Sequence, residues 1–161
     1  MANLDYQYIT SLVRNAQSGS SDAFAELYAA TCQKQYQFAC AYLGDEYLAQ
    51  EALQETYIQA LTQIHSLPDP KLFLSQLSQI EYLVCYKMLK KENNESINIE
   101  GTTYSLHRII NLPFTESQVI MMKYCDHMTN KEIAKLLDIS SGSVNRYLNW
   151  GRKRLKQILN H

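Results

Sequence analysis

None of the four cysteines, Cys32, Cys40, Cys85 and Cys125, stands at C-x-x-C spacing from another, and none has a histidine at metal-ligand distance along the chain. The usual sequence form of a structural zinc site is therefore missing, and no metal is expected. Three of the cysteines fall on apolar faces of expected helices, where a thiol behaves as a small hydrophobe. His65, His107, His127 and His161 are scattered, and neither a phosphate-binding loop nor a nucleophile motif occurs. Neither catalysis nor a cofactor is expected. No apolar run approaches the ~18–20 residues of a membrane span, and nothing at the start reads as a signal peptide. The expected setting is the cytoplasm, reduced and without membrane insertion. No internal repeat and no strand pattern stands out.

What is present is an apolar content of 46%, enough for packed cores. The formal net charge of −1 hides an asymmetry, with −3 over residues 1–91 and +4 over residues 112–161. Fields act locally, so the C-terminal part suits phosphate and the N-terminal part suits a different partner.

Helical spacing runs through residues 1–91. Leu4, Tyr8 and Leu12 share one face of a helix through Gln17, and Ser18-Gly19-Ser20 breaks it. Ser21 is expected to cap a second helix, with Phe24, Leu27, Thr31, Phe38 and Tyr42 inward. Gly44-Asp45 separates it from a third, whose core side carries Leu48, Leu53, Tyr57, Leu61 and Ile64. Pro68-Asp69-Pro70 is a break, after which Phe73, Leu77, Ile80, Val84 and Met88 mark a fourth helix. Four helices with short connections predict a compact antiparallel bundle. Residues 92–111 form the expected linker, polar at Glu92-Asn93-Asn94-Glu95-Ser96 and extended by Gly101-Thr102-Thr103. Ile97, Ile99, Leu106, Ile109 and Ile110 are too apolar for free coil, so part of it is expected to dock.

Residues 112–161 carry a helix-turn-helix pattern. Thr115 with Gln118 reads as a capping box for a helix through about Cys125, and Thr129 with Glu132 as another, starting a helix at Asn130. Ile133, Leu136 and Leu137 would bury one face, Leu137-Asp138-Ile139 would turn, and Ser140 or Ser141 would cap a second helix through Asn149. Val144 and Leu148 would anchor that helix, the one that enters the major groove in such pairs. Between Arg146 and Lys156 lie five basic residues and no acidic one. Ser141, Ser143, Asn145, Arg146, Asn149, Arg152 and Lys153 are the candidate DNA-binding residues. Asn suits adenine edges, and Gly142 leaves room for close approach of backbone to phosphate.

Two separate stretches resemble one family. Gly19-Ser20-Ser21-Asp22-Ala23-Phe24-Ala25-Glu26-Leu27-Tyr28 and Ala49-Gln50-Glu51-Ala52-Leu53-Gln54-Glu55-Thr56-Tyr57 are similar to region two of small, two-domain sigma factors of the extracytoplasmic-function type. Leu112 to about Leu159 resembles their region four. The resemblance implies an all-α fold, a four-helix bundle followed by a helix-turn-helix domain. It implies a transcription initiation factor whose region two (residues 1–91) binds core RNA polymerase and opens the promoter, and whose region four (residues 112–161) binds promoter DNA. Glu51, Gln54 and Glu55 match the acidic helix used for polymerase docking, and the resemblance also allows an anti-sigma factor as a partner.

The chain departs from the family in its fourth helix, normally rich in Arg with Trp, Asn and Asp. Phe73, Ile80 and Val84 stand there, the cations are reduced to Lys71 and Lys87, and Tyr82 and Tyr86 are open to two readings, base stacking or bundle core. In region four, Tyr147 takes the place of the usual Arg, with Arg146 one residue earlier and so rotated by ~100°. A stand-alone helix-turn-helix regulator, and a degenerate sigma-like protein that sequesters polymerase or an anti-sigma factor, remain alternatives.

Overall fold

The computed structural model describes residues 5–89 and 96–159, with backbone alone at Leu159. Leu4 and the polar stretch at 92–95 lie outside the described residues. The chain divides into two compact units, residues 1–89 and 90–161.

The first unit is a bundle of α1 (Tyr6–Gln17), α2 (Ser21–Leu43), α3 (Glu46–Gln63) and α4 (Phe73–Leu89), with 3-10 turns at Ile64–Ser66 and Pro70–Leu72. The helix starts are fixed by side-chain acceptors. Asp5 takes the amides of Gln7 and Tyr8, Ser20 that of Ala23, and Asp45 those of Tyr47 and Leu48. The cap of α2 is thus Ser20 and not Ser21. Gly44 ends α2 in the left-handed region at φ 68°, a conformation that costs glycine little.

The faces differ in part from the sequence expectation. In α1 the inward residues are Ile9, Leu12, Val13 and Ala16, while Tyr8 is exposed and donates to a Glu26 carboxylate at 2.6 Å. Tyrosine satisfies an apolar pattern while its hydroxyl prefers water, so the pattern alone chose the wrong edge. In α3 the inward face is alanine-rich, with Ala49, Ala52 and Ala60 fully buried, while Leu61 is exposed. Alanine allows close helix approach, which is how α3 fits between α2 and α4. Phe73, Leu77, Ile80 and Val84 line the core as their spacing predicted.

α4 is buried around much of its circumference, including Gln76, Gln79, Glu81, Tyr82, Cys85 and Tyr86. Tyr82 packs edge-on to Tyr42 at 5.5 Å between centroids and stacks on Tyr86 at 6.0 Å. Both tyrosines therefore belong to the bundle core rather than to a base-stacking surface. Glu81, 1% exposed, has one carboxyl oxygen without a hydrogen-bond partner, and burial pushes its pKa up to about 9. It is a buried neutral acid. Burial, with Glu81 nearby, pushes the Cys85 thiol up to about 12.

The second unit opens with a hairpin of β1 (Ser96–Ile99) and β2 (Thr102–Ser105), paired antiparallel with Ile97 opposite Tyr104. Ile97, Ile99 and Tyr104 face inward, and β1 packs on α6. The docking expected of Ile97 and Ile99 takes this form. The strands went unseen because each has four residues and the turn is Glu100-Gly101. Both turn residues have positive φ, 52° and 89°, as a two-residue type I′ turn requires, but Glu replaces the usual Asn or Asp.

α5 (Leu106–Ile110), α6 (Phe114–Tyr124), α7 (Asn130–Leu137) and α8 (Ser141–Leu159) complete the unit. α6 starts at Phe114 after Pro113 with no side-chain cap, so the Thr115–Gln118 capping box does not form. Gln118 is instead buried, with Val119, Ile120, Met121 and Met122 beside it.

Candidate nucleic-acid interface

The helix-turn-helix is built by α7 and α8. Thr129 accepts the Glu132 amide at 3.1 Å while the Glu132 carboxylate accepts the Thr129 amide at 3.1 Å, and these bonds hold the Glu132 pKa below its ordinary value. Asp138 closes α7 in the left-handed region at φ 57°, its amide on the Ala134 carbonyl. An Asp tolerates that conformation, so the turn needs no glycine. Ser140 accepts the Ser143 amide at 3.0 Å and so caps α8. Ile133, Val144, Leu148 and Leu155 are fully buried or nearly so, while Leu136 and Leu137 are only half-buried, with Ala134 taking inward space.

α8 continues well past Asn149 to Leu159, so the basic tail is part of the same helix. Close packing on α6 depends on Gly151: a Cβ there would lie 3.0 Å from Ile120 Cγ1 and 3.1 Å from its Cδ1.

The candidate DNA residues separate by environment. Ser141, Asn145, Arg146, Asn149 and Lys153 are exposed, and Ser143 is half-buried. Arg146 donates to Ser143 Oγ at 2.9 Å, and Ser140 Oγ donates to the same atom at 2.9 Å, which draws the guanidinium toward the start of the helix. Arg152 is held inside the unit. It donates to the Tyr124 hydroxyl at 2.8 Å, to Glu100 at 3.4 Å and to Asn149 Oδ1 at 2.8 Å. Arg154, which the sequence left off the candidate set, donates to both carboxylate oxygens of buried Glu116, at 2.9 and 3.2 Å.

Trp150 was also missed. It is 50% exposed, beside Tyr147 with ring centroids 5.8 Å apart and planes at 81°. Helical spacing puts it in line with Arg146 and Lys153, at i, i+4 and i+7. That periodicity, written in the sequence, was the signal.

In the first unit Glu51, Gln54 and Glu55 are exposed along one face of α3. Glu51 raises the pKa of the neighbouring Tyr47 hydroxyl by accepting its hydrogen bond, and Glu55 accepts from Gln59 at 3.0 Å. Tyr47, Ile58 and Leu61, 70%, 60% and 50% exposed, extend the same face as an acidic and apolar stripe. Elsewhere in this unit an open cleft of about 480 Å³ is lined by Tyr6, Thr10, Arg14, Pro70, Lys71 and Leu74. Among the described residues no group of His, Cys, Asp and Glu could hold a metal ion, and no helix is long and apolar enough to cross a membrane.

The sigma-70 region 4 family model matches residues 106–155, from α5 through most of α8. The chain is 26% identical over 176 aligned positions to the ECF RNA polymerase sigma factor SigW of Bacillus subtilis, covering 91% of this chain and 94% of that protein. It is 24% identical to the ECF RNA polymerase sigma factor SigM of the same organism, over 84% of this chain and 94% of that one. A similar fold occurs in the structure of CnrH in complex with the cytosolic domain of CnrY, with a TM-score of 0.50, 20% identity, and 95% and 97% of the two chains covered.

Proposed function

We propose that the chain is an RNA polymerase sigma factor of the extracytoplasmic-function type, which binds core RNA polymerase and directs it to specific promoters; the region 4 match and the likeness to SigW over 91% of the chain support this. In this reading residues 1–91 dock on polymerase and take part in promoter opening, and residues 112–161 bind promoter DNA. The work is done in the cytoplasm by positioning and needs no catalytic group of its own.

The observation that carries the reading is the outward side of α8. Asn145, Arg146, Asn149 and Lys153 are exposed on a helix that follows a capped α7 and a tight turn, and no acidic residue interrupts the helix from Arg146 to Lys156. Ser141 and Ser143 add hydroxyls at its N-terminus, where an anion is favoured. Arg152 contributes through Asn149, whose side-chain oxygen it holds. Glu51, Gln54 and Glu55, flanked by Tyr47, Ile58 and Leu61, form the polymerase-docking face: charge steers the encounter and the apolar groups supply buried area. For the melted strand we assign the cleft of Tyr6, Arg14 and Lys71, an aromatic ring beside two cations, in place of the buried Tyr82 and Tyr86. An anti-sigma factor is the further partner this reading admits.

Run-off transcription with core RNA polymerase, on promoters from the chain's own genome, tests the proposal. Defined start sites that depend on the chain are expected. Tight binding to core without transcripts would replace this reading with the sequestering one. DNA binding as a dimer on paired half-sites, indifferent to polymerase, would make the chain a stand-alone regulator.

A further inference from the structure

Trp150 is the single tryptophan of the chain, and it stands half-exposed on a strongly basic helix. A lone exposed apolar residue needs no explanation in general. This one is different in its company. Arg146 lies one turn before it and Lys153 one turn after it on the same line, with Asn149 adjacent. Positions at i, i+3, i+4 and i+7 are the set a helix presents when it lies in a major groove. A helix is ~10–12 Å across with its side chains, which fits a groove ~12 Å wide. Tyr147 packs edge-on against the indole and restricts its rotamers, so little ordering remains to be done on contact.

We infer that Trp150 is a specificity-determining contact of α8 with duplex DNA, and that it selects thymine at one position by packing against the C5-methyl group. This inference rests on the DNA-binding reading above. Phosphates are matched by the cations on either side, and an indole ring offers them little. Among base edges in the major groove, only thymine presents an apolar group. The occupant is DNA rather than a protein helix because the charged residues in line with Trp150, Arg146 and Lys153, are both exposed and positive, which complements phosphate.

The test uses the full chain assembled with core RNA polymerase, and duplexes that this complex recovers from a randomised pool. Each thymine of the recovered element is replaced in turn by deoxyuridine, which lacks only the methyl. For the wild type, one replacement should weaken binding about fourfold, the equivalent of the ~0.8 kcal/mol for one buried methyl at tenfold per 1.4 kcal/mol. Trp150→Ala should be insensitive at that position, and Trp150→Phe, which keeps an aromatic ring should the alanine variant fold poorly, should retain part of the effect. Equal deoxyuridine profiles for the wild type and both variants would overturn the assignment, as would loss of polymerase binding in the variants with the profile intact. If the wild-type complex recovers no common element at all, the DNA-binding reading itself fails, an outcome distinct from either of those.

Discussion

Glu81→Gln should raise the stability of the four-helix unit at neutral pH and flatten its pH dependence. The native carboxyl is buried, lacks a partner for one oxygen and has its pKa pushed up to about 9. In the unfolded chain a glutamate titrates near ~4.3. Between these values the native state holds a proton that the unfolded state has released, so stability falls as pH rises, by ~1.36 kcal/mol per pH unit. The stabilisation is complete below about pH 4.3 and is lost progressively until the native carboxyl itself ionises near 9. At pH 7 the accumulated loss is on the order of 3–4 kcal/mol. Glutamine keeps the shape of the protonated acid and has no proton to lose. The variant and wild type should therefore be alike near pH 4.5 and diverge steadily above it. Urea unfolding from pH 5 to 8, followed by far-UV circular dichroism, measures this. Trp150 lies in the other unit, so its fluorescence follows that unit's transition, which the variant should leave unchanged. Stability curves that run parallel from pH 5 to 8 would refute the buried neutral acid.

Arg146→Ala should lose ~1–3 kcal/mol at one base pair if the guanidinium reads a base edge, measured with the chain and polymerase on systematically substituted duplexes. An unchanged affinity on every duplex would remove Arg146 from the interface. Replacing both Glu51 and Glu55 by Ala should weaken binding to core polymerase by roughly two- to thirtyfold, given ~0.2–1 kcal/mol for each exposed charge, and should slow association as steering is lost. An undiminished titration of labelled core would place docking elsewhere. Gly151→Ala gains ~1 kcal/mol of helix propensity but drives a methyl into Ile120, an overpacking that costs ~1–3 kcal/mol. Net destabilisation is expected in thermal melts. A higher melting temperature for Gly151→Ala alone would contradict the tight packing.

What the sequence made legible was punctuation. Gly44-Asp45, Pro68-Asp69-Pro70, and Thr129 with Glu132 have local physical effects that need no tertiary partner, and each marks a real boundary. Faces were less legible, because burial is decided by neighbours. Tyr8 and Leu61 satisfied an apolar periodicity yet lie on the surface, and the small alanines that face inward on α3 left little trace in it. Tyr82 and Tyr86 fitted stacking and core equally well until the packing around α4 decided. The hairpin was hidden by its brevity. In the candidate interface, residue type and spacing located Asn145, Arg146, Asn149 and Lys153 on the outside, but no sequence pattern could reveal that Arg152 is engaged by Glu100 and Tyr124.

The tethering of Arg152 and Arg154 to internal carboxylates changes how α8 would exchange ions with a nucleic acid. A duplex gives up condensed counterions only to protein cations that are not already compensated. Among the described residues, two of the five basic residues from Arg146 to Lys156 are matched by Glu100 and Glu116, which leaves Arg146, Lys153 and Lys156. At ~0.9 counterions released per neutralised phosphate, the contribution of α8 to the log–log dependence on salt is near −2.7 rather than −4.5. Acidic residues distant in sequence from the helix thus set how tolerant its grip would be to the ionic strength of the cell.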